Sequence, residues 1–418
     1  MASLCLLVAF ASGAGAADVA IKGSLNETLE ASDNYFLQNS PIGTTYKSLS
    51  ALNLDVLART PGWRFLLSSN VSYYNYFGPG ADATTPTSGV PLNETFRVDH
   101  VTDLARYFAA ATYTRADVAA TQLRETGVAT QAGTVNSFRA VGGGTHDINR
   151  IDSISWSVQA NRTTFDNDPG ATPFTDIGST VAWTRLLDPT TSWTTSVNFD
   201  WLDADDLAKS QRLFWQIMTG FKSQLTRRLT VTASAGAAFA NAYQTAAVPA
   251  FATSNFIQTG AANSLVALGH LNYLLLKDTS VTLSAAHLII PTTFGQLQKT
   301  TTAGATLNQQ INYWSSVALS ANYAHTESNT LTTTGPADFF SAQIAYSYWL
   351  ARDWRTRLSY TYRQRHDDTG TASSNTVLLS LKYDFNLLGN PTAFDPVELE
   401  RTAIKQQKAI GEVFPTLQ

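Results

Sequence analysis

Apolar and polar residues alternate with a period of two along most of this chain. From Trp193 to Trp201, the residues Trp193, Thr195, Val197, Phe199 and Trp201 fall on one side, and Thr194, Ser196, Asn198 and Asp200 on the other. That rhythm predicts a strand with one apolar and one polar face. It recurs at Ile154 to Ala160, Phe340 to Tyr348, Trp354 to Tyr362 and Val377 to Phe385. Followed throughout, it predicts strands at 19–32, 45–60, 63–76, 94–103, 106–116, 135–146, 152–165, 176–187, 192–202, 211–225, 229–240, 264–276, 280–289, 298–308, 313–325, 338–350, 354–364 and 375–385. The count is about 18, an even number as a closed bacterial barrel requires, and about 16 if the Ala-rich stretch 94–146 holds fewer.

Connections alternate in length too. Short polar turns are expected at 60–62, 147–150, 188–191, 226–228, 277–279, 308–310 and 351–353. Longer polar loops are expected at 78–93, 166–174, 202–210, 241–262, 326–337 and 365–374. Alternating short turns and long loops predict an antiparallel up-and-down transmembrane β-barrel, with turns in the periplasm and loops outside. Strands of 10–14 residues suit a tilted membrane crossing. Aromatic residues near strand ends, such as Trp63, Tyr76, Tyr107, Trp183, Trp193, Trp201, Trp349 and Trp354, suit two interfacial girdles. Of the long loops, 241–262 is the first candidate for an inward-folded constriction and 78–93 the second.

Composition sharpens this picture. Only 14% of the 418 residues are charged, against about 25% in a soluble domain. Ser, Thr, Asn and Gln carry the polar face, which disfavours a soluble sandwich or β-helix, whose outer face needs Lys and Glu. The mean hydropathy of −0.09 disfavours a helical membrane protein. A net charge of −4 disfavours nucleic acid as a partner. The one cysteine, Cys5, precludes a disulfide scaffold and a multi-cysteine metal site.

The ends differ from the middle. Residues 1–17 hold a short apolar run and an A-x-A pattern at Ala14-Gly15-Ala16, without a basic start, and read as a signal peptide truncated at its beginning. The barrel is expected over 18–385. Residues 386–418 are expected to form a periplasmic tail with a short amphipathic helix starting at Asp395-Pro396, which could plug the lumen, dock a periplasmic partner, or rest on the barrel mouth without a function of its own.

Catalytic and cofactor chemistry has little to stand on. None of the six histidines has metal-ligand spacing, and no G-x-S-x-G occurs. Gly142-Gly143-Gly144 has no following Lys-Ser/Thr; it suits the close approach of a side chain or inner loop to the wall. Ser137, His146 and Asp147 are the nearest approach to a catalytic set. The expectation is a non-enzyme without cofactor or metal.

The charges that remain fall on the polar face, because a charge facing lipid at the midplane costs about 2–4 kcal/mol. This predicts Lys22, Asp55, Arg59, Arg64, Asp200, Lys222, Arg355, Arg357, Arg363 and Lys382 as lumen-lining candidates. Arg355, Arg357, Arg363 and Lys382 lie on the last hairpin, and closure should bring Lys22 to it. Such a basic ladder should attract anions. Arg365 is read as a base of the last loop. The acidic loops could meet lipopolysaccharide phosphates through divalent cations.

Two segments resemble known families. Val377-x-Leu379-x-Leu381-x-Tyr383-x-Phe385 resembles the terminal strand that the barrel-assembly machinery recognises in bacterial outer-membrane proteins, although about 33 residues follow it here. Gly23 to Phe36, containing Asp33-Asn34-Tyr35, is similar to the opening strand of the β-barrel porin type 2 family, which includes barrels found with exopolysaccharide systems. The likeness continues only as length and hairpin rhythm. It implies an outer-membrane channel for small polar solutes or for export of a polysaccharide. A structural barrel with a blocked lumen is the alternative.

Overall fold

The computed structural model describes residues 18–81, 87–118, 120–121, 133–166, 171–206, 209–245, 256–291, 297–328 and 336–389. Its strands are β1 (Asp18–Ser32), β2 (Thr45–Arg59), β3 (Trp63–Phe77), β4 (Ser88–Gly89), β5 (Leu92–Val101), β6 (Ala105–Asp117), β7 (Thr134–Asp147), β8 (Asp152–Asp166), β9 (Phe174–Asp188) and β10 (Thr191–Ala204). They continue as β11 (Gln211–Thr226), β12 (Leu229–Thr245), β13 (Phe256–Leu276), β14 (Thr279–Pro291), β15 (Leu297–Asn312), β16 (Ser315–Ser328), β17 (Ala337–Ala351), β18 (Trp354–Asp367) and β19 (Gly370–Leu388). β4 is only a two-residue rung on β3, opposite Tyr74 and Asn75. The other 18 pair antiparallel with their neighbours in sequence, and β1 pairs with β19. The ring is therefore a closed 18-stranded barrel. Closure satisfies the edge groups that an open sheet would present to lipid. No helix among the described residues is long and apolar enough to cross a membrane; the crossing is made by strands.

Facing follows the alternation. Val197, Phe199, Leu379 and Leu381 are 38–49% exposed on the outside, whereas Asn198 between them is 1% exposed. Large apolar side chains are exposed around the outer wall, including Leu25, Val71, Trp156, Val181, Trp193, Ile217, Leu319, Ile344 and Leu358. A soluble protein does not expose so large an apolar surface. An antiparallel barrel with this apolar outer band belongs in the bacterial outer membrane. Trp63, Tyr107, Trp193 and Trp354 lie near the turn ends, and Tyr73, Phe77 and Phe138 nearer the loops, as two girdles require. Tyr76 and Trp349 do not join them. They stand one residue out of phase with exposed Tyr73 and Phe77, or Tyr348, and face inward; Tyr76 is 3% exposed.

The hairpins are closed by side chains that accept main-chain N–H groups. Asp188 accepts from Thr190 N, Thr226 from Arg228 N and Leu229 N, and Asp367 from Thr369 N. These connections lock the register and with it the facing of each strand.

Four boundaries differ from the expectation. The turn placed at 308–310 lies at Tyr313-Trp314, because Asn308 to Asn312 stay in the ladder and Asn312 Oδ1 accepts Trp314 N at 2.8 Å. The loop placed at 365–374 is the two-residue turn Asp368-Thr369. The loop placed at 241–262 is shorter, because β12 reaches Thr245 and β13 starts at Phe256. The last strand continues three residues beyond 385, to Leu388. The signal peptide and the C-terminal helix expected at 395 onward lie outside the described residues.

Candidate functional site

The inner wall is the candidate site, and its charge is organised by strand and by height. On β18 the inward residues are Arg355, Arg357, Ser359, Thr361, Arg363 and Arg365, alternating with outward Leu358 and Tyr360. A rise of about 3.4 Å per residue places Arg355 and Arg357 about 7 Å apart near the turn end. Arg355 lies 5.7 Å from the Trp349 ring and is in register with Lys382. Arg357 donates to Gln343 Oε1 at 3.3 Å. Among the described residues, no carboxylate pairs with either. Lys382 is paired, to Asp384 at 2.8 Å.

The upper two arginines serve otherwise. Arg363 sits 3.6 Å from Glu30, donates to Thr376 and lies over the Tyr35 ring at 5.8 Å. Arg365, read from sequence as a loop base, is an inward strand residue, 5% exposed and bound to Asp367 and Asn39. Lys22 does reach β19, but in register with Asn386 rather than with the basic residues. Its acidic partner is Asp55 at 3.6 Å, whose other oxygen accepts from Ser68. Arg59 is exposed at the turn-end mouth, in register with Arg64. Lys222 is half-buried on β11, in register with Ser192.

Asp99 forms the tightest charged cluster. Arg64 donates twice to its Oδ2, at 3.0 and 3.2 Å, and Arg97 reaches Oδ1 at 2.7–2.9 Å. Arg97 also covers the Phe108 ring at 4.9 Å. Phe108 fits because Gly143 opposes it: a Cβ there would meet the ring at 2.9 Å. The glycine run of β7 thus serves the close approach its composition suggested. Ser137 and His146 are nine residues apart on opposite faces of β7, about 30 Å, so no catalytic set assembles.

Across the lumen, β9 and β10 lie nine strands round from β18 and β19. They carry Asp176 and Asp200, both nearer the loop end. Asp200 lies over Gly178, where a Cβ would sit, and accepts from Gln159 Nε2 at 3.5 Å. The wall near the turns thus carries Lys22, Arg59, Arg64, Arg97, Arg106, Lys222, Arg355, Arg357 and Lys382 against Asp18, Asp55, Asp99, Asp147 and Asp384. Toward the loops the same face carries Glu30, Asp176, Asp200 and Asp367 with Lys47, Arg139, Arg212, Arg363 and Arg365.

Two inner features were not anticipated. The first is the loop 33–44. Tyr35, Phe36 and Leu37 are 7%, 6% and 0% exposed and pack on Tyr74, Tyr76 and Ala372 at the loop-end mouth. Lys47 Nζ donates to Tyr35 at 3.0 Å and lies 5.1–5.7 Å from the Tyr35, Tyr74 and Tyr76 rings, a cation held by aromatic faces. Asn34 ties the segment down, bonding Gln38 twice and Ser373 O at 3.0 Å. Asp33 bonds Asn375 N and Nδ2. The left-handed φ of 50° at Leu37 costs about 1–2 kcal/mol, which burying the leucine offsets at about 2 kcal/mol. Only alternating Tyr74 and Tyr76 hinted at this inner aromatic cluster.

The second is an apolar inner sector. Phe214, Met218, Ala238, Ala240, Val266, Leu288 and Ile289 cluster on β11–β14, each 5% exposed or less. Gln216, on the same wall, is 0% exposed. This part of the inner wall is packed rather than water-filled.

No family model matches the sequence, and no curated protein is similar to it. Several solved porin structures are similar in shape. OccAB3 of Acinetobacter baumannii is 12% identical, with a TM-score of 0.46 over 88% of this chain and 100% of that one. OccK2 (OpdF) of Pseudomonas aeruginosa is 10% identical, with 0.48 over 89% and 99%. A BenF-like porin of Pseudomonas fluorescens Pf-5 is 9% identical, with 0.47 over 89% and 99%. At these values the likeness decides neither family nor cargo, and the architecture of this chain rests on its own strand pairing.

Proposed function

We propose that this barrel is a passive outer-membrane channel for small polar solutes that favours anions, with no chemical step. Arg355 and Arg357 carry the reading. They project into an 18-stranded ring, a size that leaves an aqueous path in porins, without a carboxylate partner among the described residues. Low-dielectric walls focus the field of such a pair, and about 7 Å lies within the screening length of about 8 Å at physiological salt. Arg363 does not belong to this pair, because Glu30 neutralises it.

The test is conductance in a planar bilayer. Ion-permeable steps are expected, and replacing Arg355 and Arg357 by Gln should shift the reversal potential in a salt gradient toward cations. A barrel without conductance would sink the channel. An unchanged reversal potential would remove the arginines from selectivity.

Export of an acidic polysaccharide is a second cargo, supported by the resemblance of Gly23 to Phe36 to type 2 porins and by the carboxylates such a polymer offers to the same arginines. A blocked structural barrel is supported by the packed sector around Phe214 and Gln216. The proposed partners are outer-leaflet lipid and lipopolysaccharide, the barrel-assembly machinery through Val377 to Phe385, and a periplasmic protein at the tail.

A further inference from the structure

Between β13 and β14 the wall forks. These strands pair only from Leu276↔Thr279 up to Ala267↔His287. Above that rung, residues 256–266 of β13 pair with β12 alone, and residues 288–291 of β14 pair with β15 alone. Among the described residues, no junction leaves a longer stretch unpaired. The laddered part, about 31 Å long at about 3.4 Å per residue and tilted by about 40°, rises about 24 Å, the height of the apolar band of such barrels. Outward Tyr323 lies in lateral register with Ala303 and Ala285, just below His287. The fork therefore opens where the hydrocarbon of the outer leaflet meets its headgroups.

Apolar side chains fill the fork. Val266 is the first residue of β13 above the last rung, and Leu288 and Ile289 are the first of β14; all three belong to the cluster that holds Phe214 and Met218. Ile289 has the outward parity of Leu283 and yet is 1% exposed. The cluster thus runs from the inner wall through the fork to the lipid side. One side-chain bond crosses it, from Ser264 to His287 at 3.2 Å. Two amides stand at the same height. Asn198 and Gln216 are in direct register on β10 and β11, 1% and 0% exposed. Thr180 donates to Asn198 Oδ1 at 2.7 Å, but Asn198 Nδ2 and both amide atoms of Gln216 have no hydrogen-bond partner among the described residues. The register continues from Gln216 through Ala238 to Ser264, so at about 4.8 Å per strand Gln216 lies about 10 Å from the fork. Buried amides without partners are costly, and a head group that bonds them removes that cost.

We infer that the fork is a lateral binding site for a single-chain amphiphile whose small, uncharged head gives and takes hydrogen bonds. The head bonds Asn198 and Gln216, and the chain follows the apolar sector out through the fork into the outer leaflet. The lining sets this class. The row from Asn198 through Gln216 and Ala238 to Ser264 carries no charge, and the nearest inward charge on β10, Asp200, already bonds Gln159. A charged head would lie there without a partner. The chain replaces packing of its own kind, so admitting it breaks the Ser264–His287 bond and no main-chain rung. The inference rests on the reading as a membrane barrel and not on conductance, so each can fail with the other intact.

The test uses the full chain in proteoliposomes and dodecanamide carrying a photoreactive diazirine beside its head. Mass spectrometry should find the label on inward Asn198, Phe214 and Met218 in preference to outward Phe199, Trp215 and Ile217, and unlabelled dodecanamide should suppress it. Gln216→Leu keeps the bulk and removes the amide. It should weaken binding about fivefold, the loss of one hydrogen bond, without lowering the denaturant midpoint, since the amide has no protein partner to lose. Val266→Cys with Leu288→Cys places a disulfide where the next rung would be. Oxidised, it should cut the inner labelling severalfold and leave the outer labelling unchanged; reduction should restore the inner signal. Label confined to outward residues would overturn the site. Inner labelling that survives the oxidised lock would mean entry from the lumen and overturn the lateral route. Binding undiminished in Gln216→Leu, or equal labelling by a dodecyltrimethylammonium probe, would overturn the assignment of the head.

Discussion

Asp99 shows how one residue tunes the pore. Its side chain is 3% exposed and holds two guanidinium groups. Asp99→Asn keeps the shape and removes the charge that Arg64 and Arg97 share. Lumen water moderates the cost, so stability should fall by about 1–3 kcal/mol in denaturant titrations while the reversal potential moves further toward anions. At this scale the sequence was only half legible. Parity placed Arg64, Asp55, Arg355 and Lys382 on the inner face, because lipid excludes charge. Partners were not legible, since they depend on register between strands. The pairing of Arg363 with Glu30 joins residues from opposite ends of the chain, and Arg365 was misread because the strand outlasts its apolar partners.

Strands obeyed the period of two, and their ends did not follow from it. A turn needs only one side chain to accept an N–H, as Asn312 does, and such a residue is equally common inside a barrel strand. Facing has a direct test. Arg357→Cys should react with a membrane-impermeant thiol reagent in proteoliposomes, and Leu358→Cys, in contact with lipid, should not; equal labelling would contradict the barrel. Asn198, although inward, is too buried to serve as the lumen reporter. Phe199→Arg should cost about 2–4 kcal/mol in bilayers, read from the denaturant midpoint. The loop 33–44 has its own test. Asn34→Ala removes three hydrogen bonds from the fold of that segment at the mouth, costs about 1 kcal/mol or more, and should raise single-channel conductance.

For the whole molecule, closure is the decisive property. Thr28 and Ser380 are in direct register across the seam between β1 and β19. Cysteines at both positions should form a disulfide on oxidation, and the cross-linked barrel should resist opening when heated in detergent. A pair offset by four residues, Thr28 with Asp384, should cross-link far less. The all-β ring, its count of 18 strands and the seam were legible because alternation repeats in every strand and short and long connections take turns between them. The apolar inner sector around Phe214 and Ile289 was not. Alternation reports that two faces differ, and here part of the inner face is apolar as well.

The seam also governs when the mouth segment 33–44 is fully held. The ties that hold 33–44 inward run from Asp33 to Asn375, Asn34 to Ser373 and Asn39 to Thr369, over 342, 339 and 330 residues of chain. None of them can exist before the first strand has met the last. The packing of Tyr35 on Lys47 and Tyr76 needs only β2 and β3, so before closure the segment is held on one side only. The two-residue Asp368-Thr369 turn lets the final hairpin form locally and present this receiving edge as one unit. The finished hold on this mouth segment is therefore the last piece of architecture to appear, and an unfinished barrel would betray itself by a segment 33–44 anchored to β2 and β3 alone.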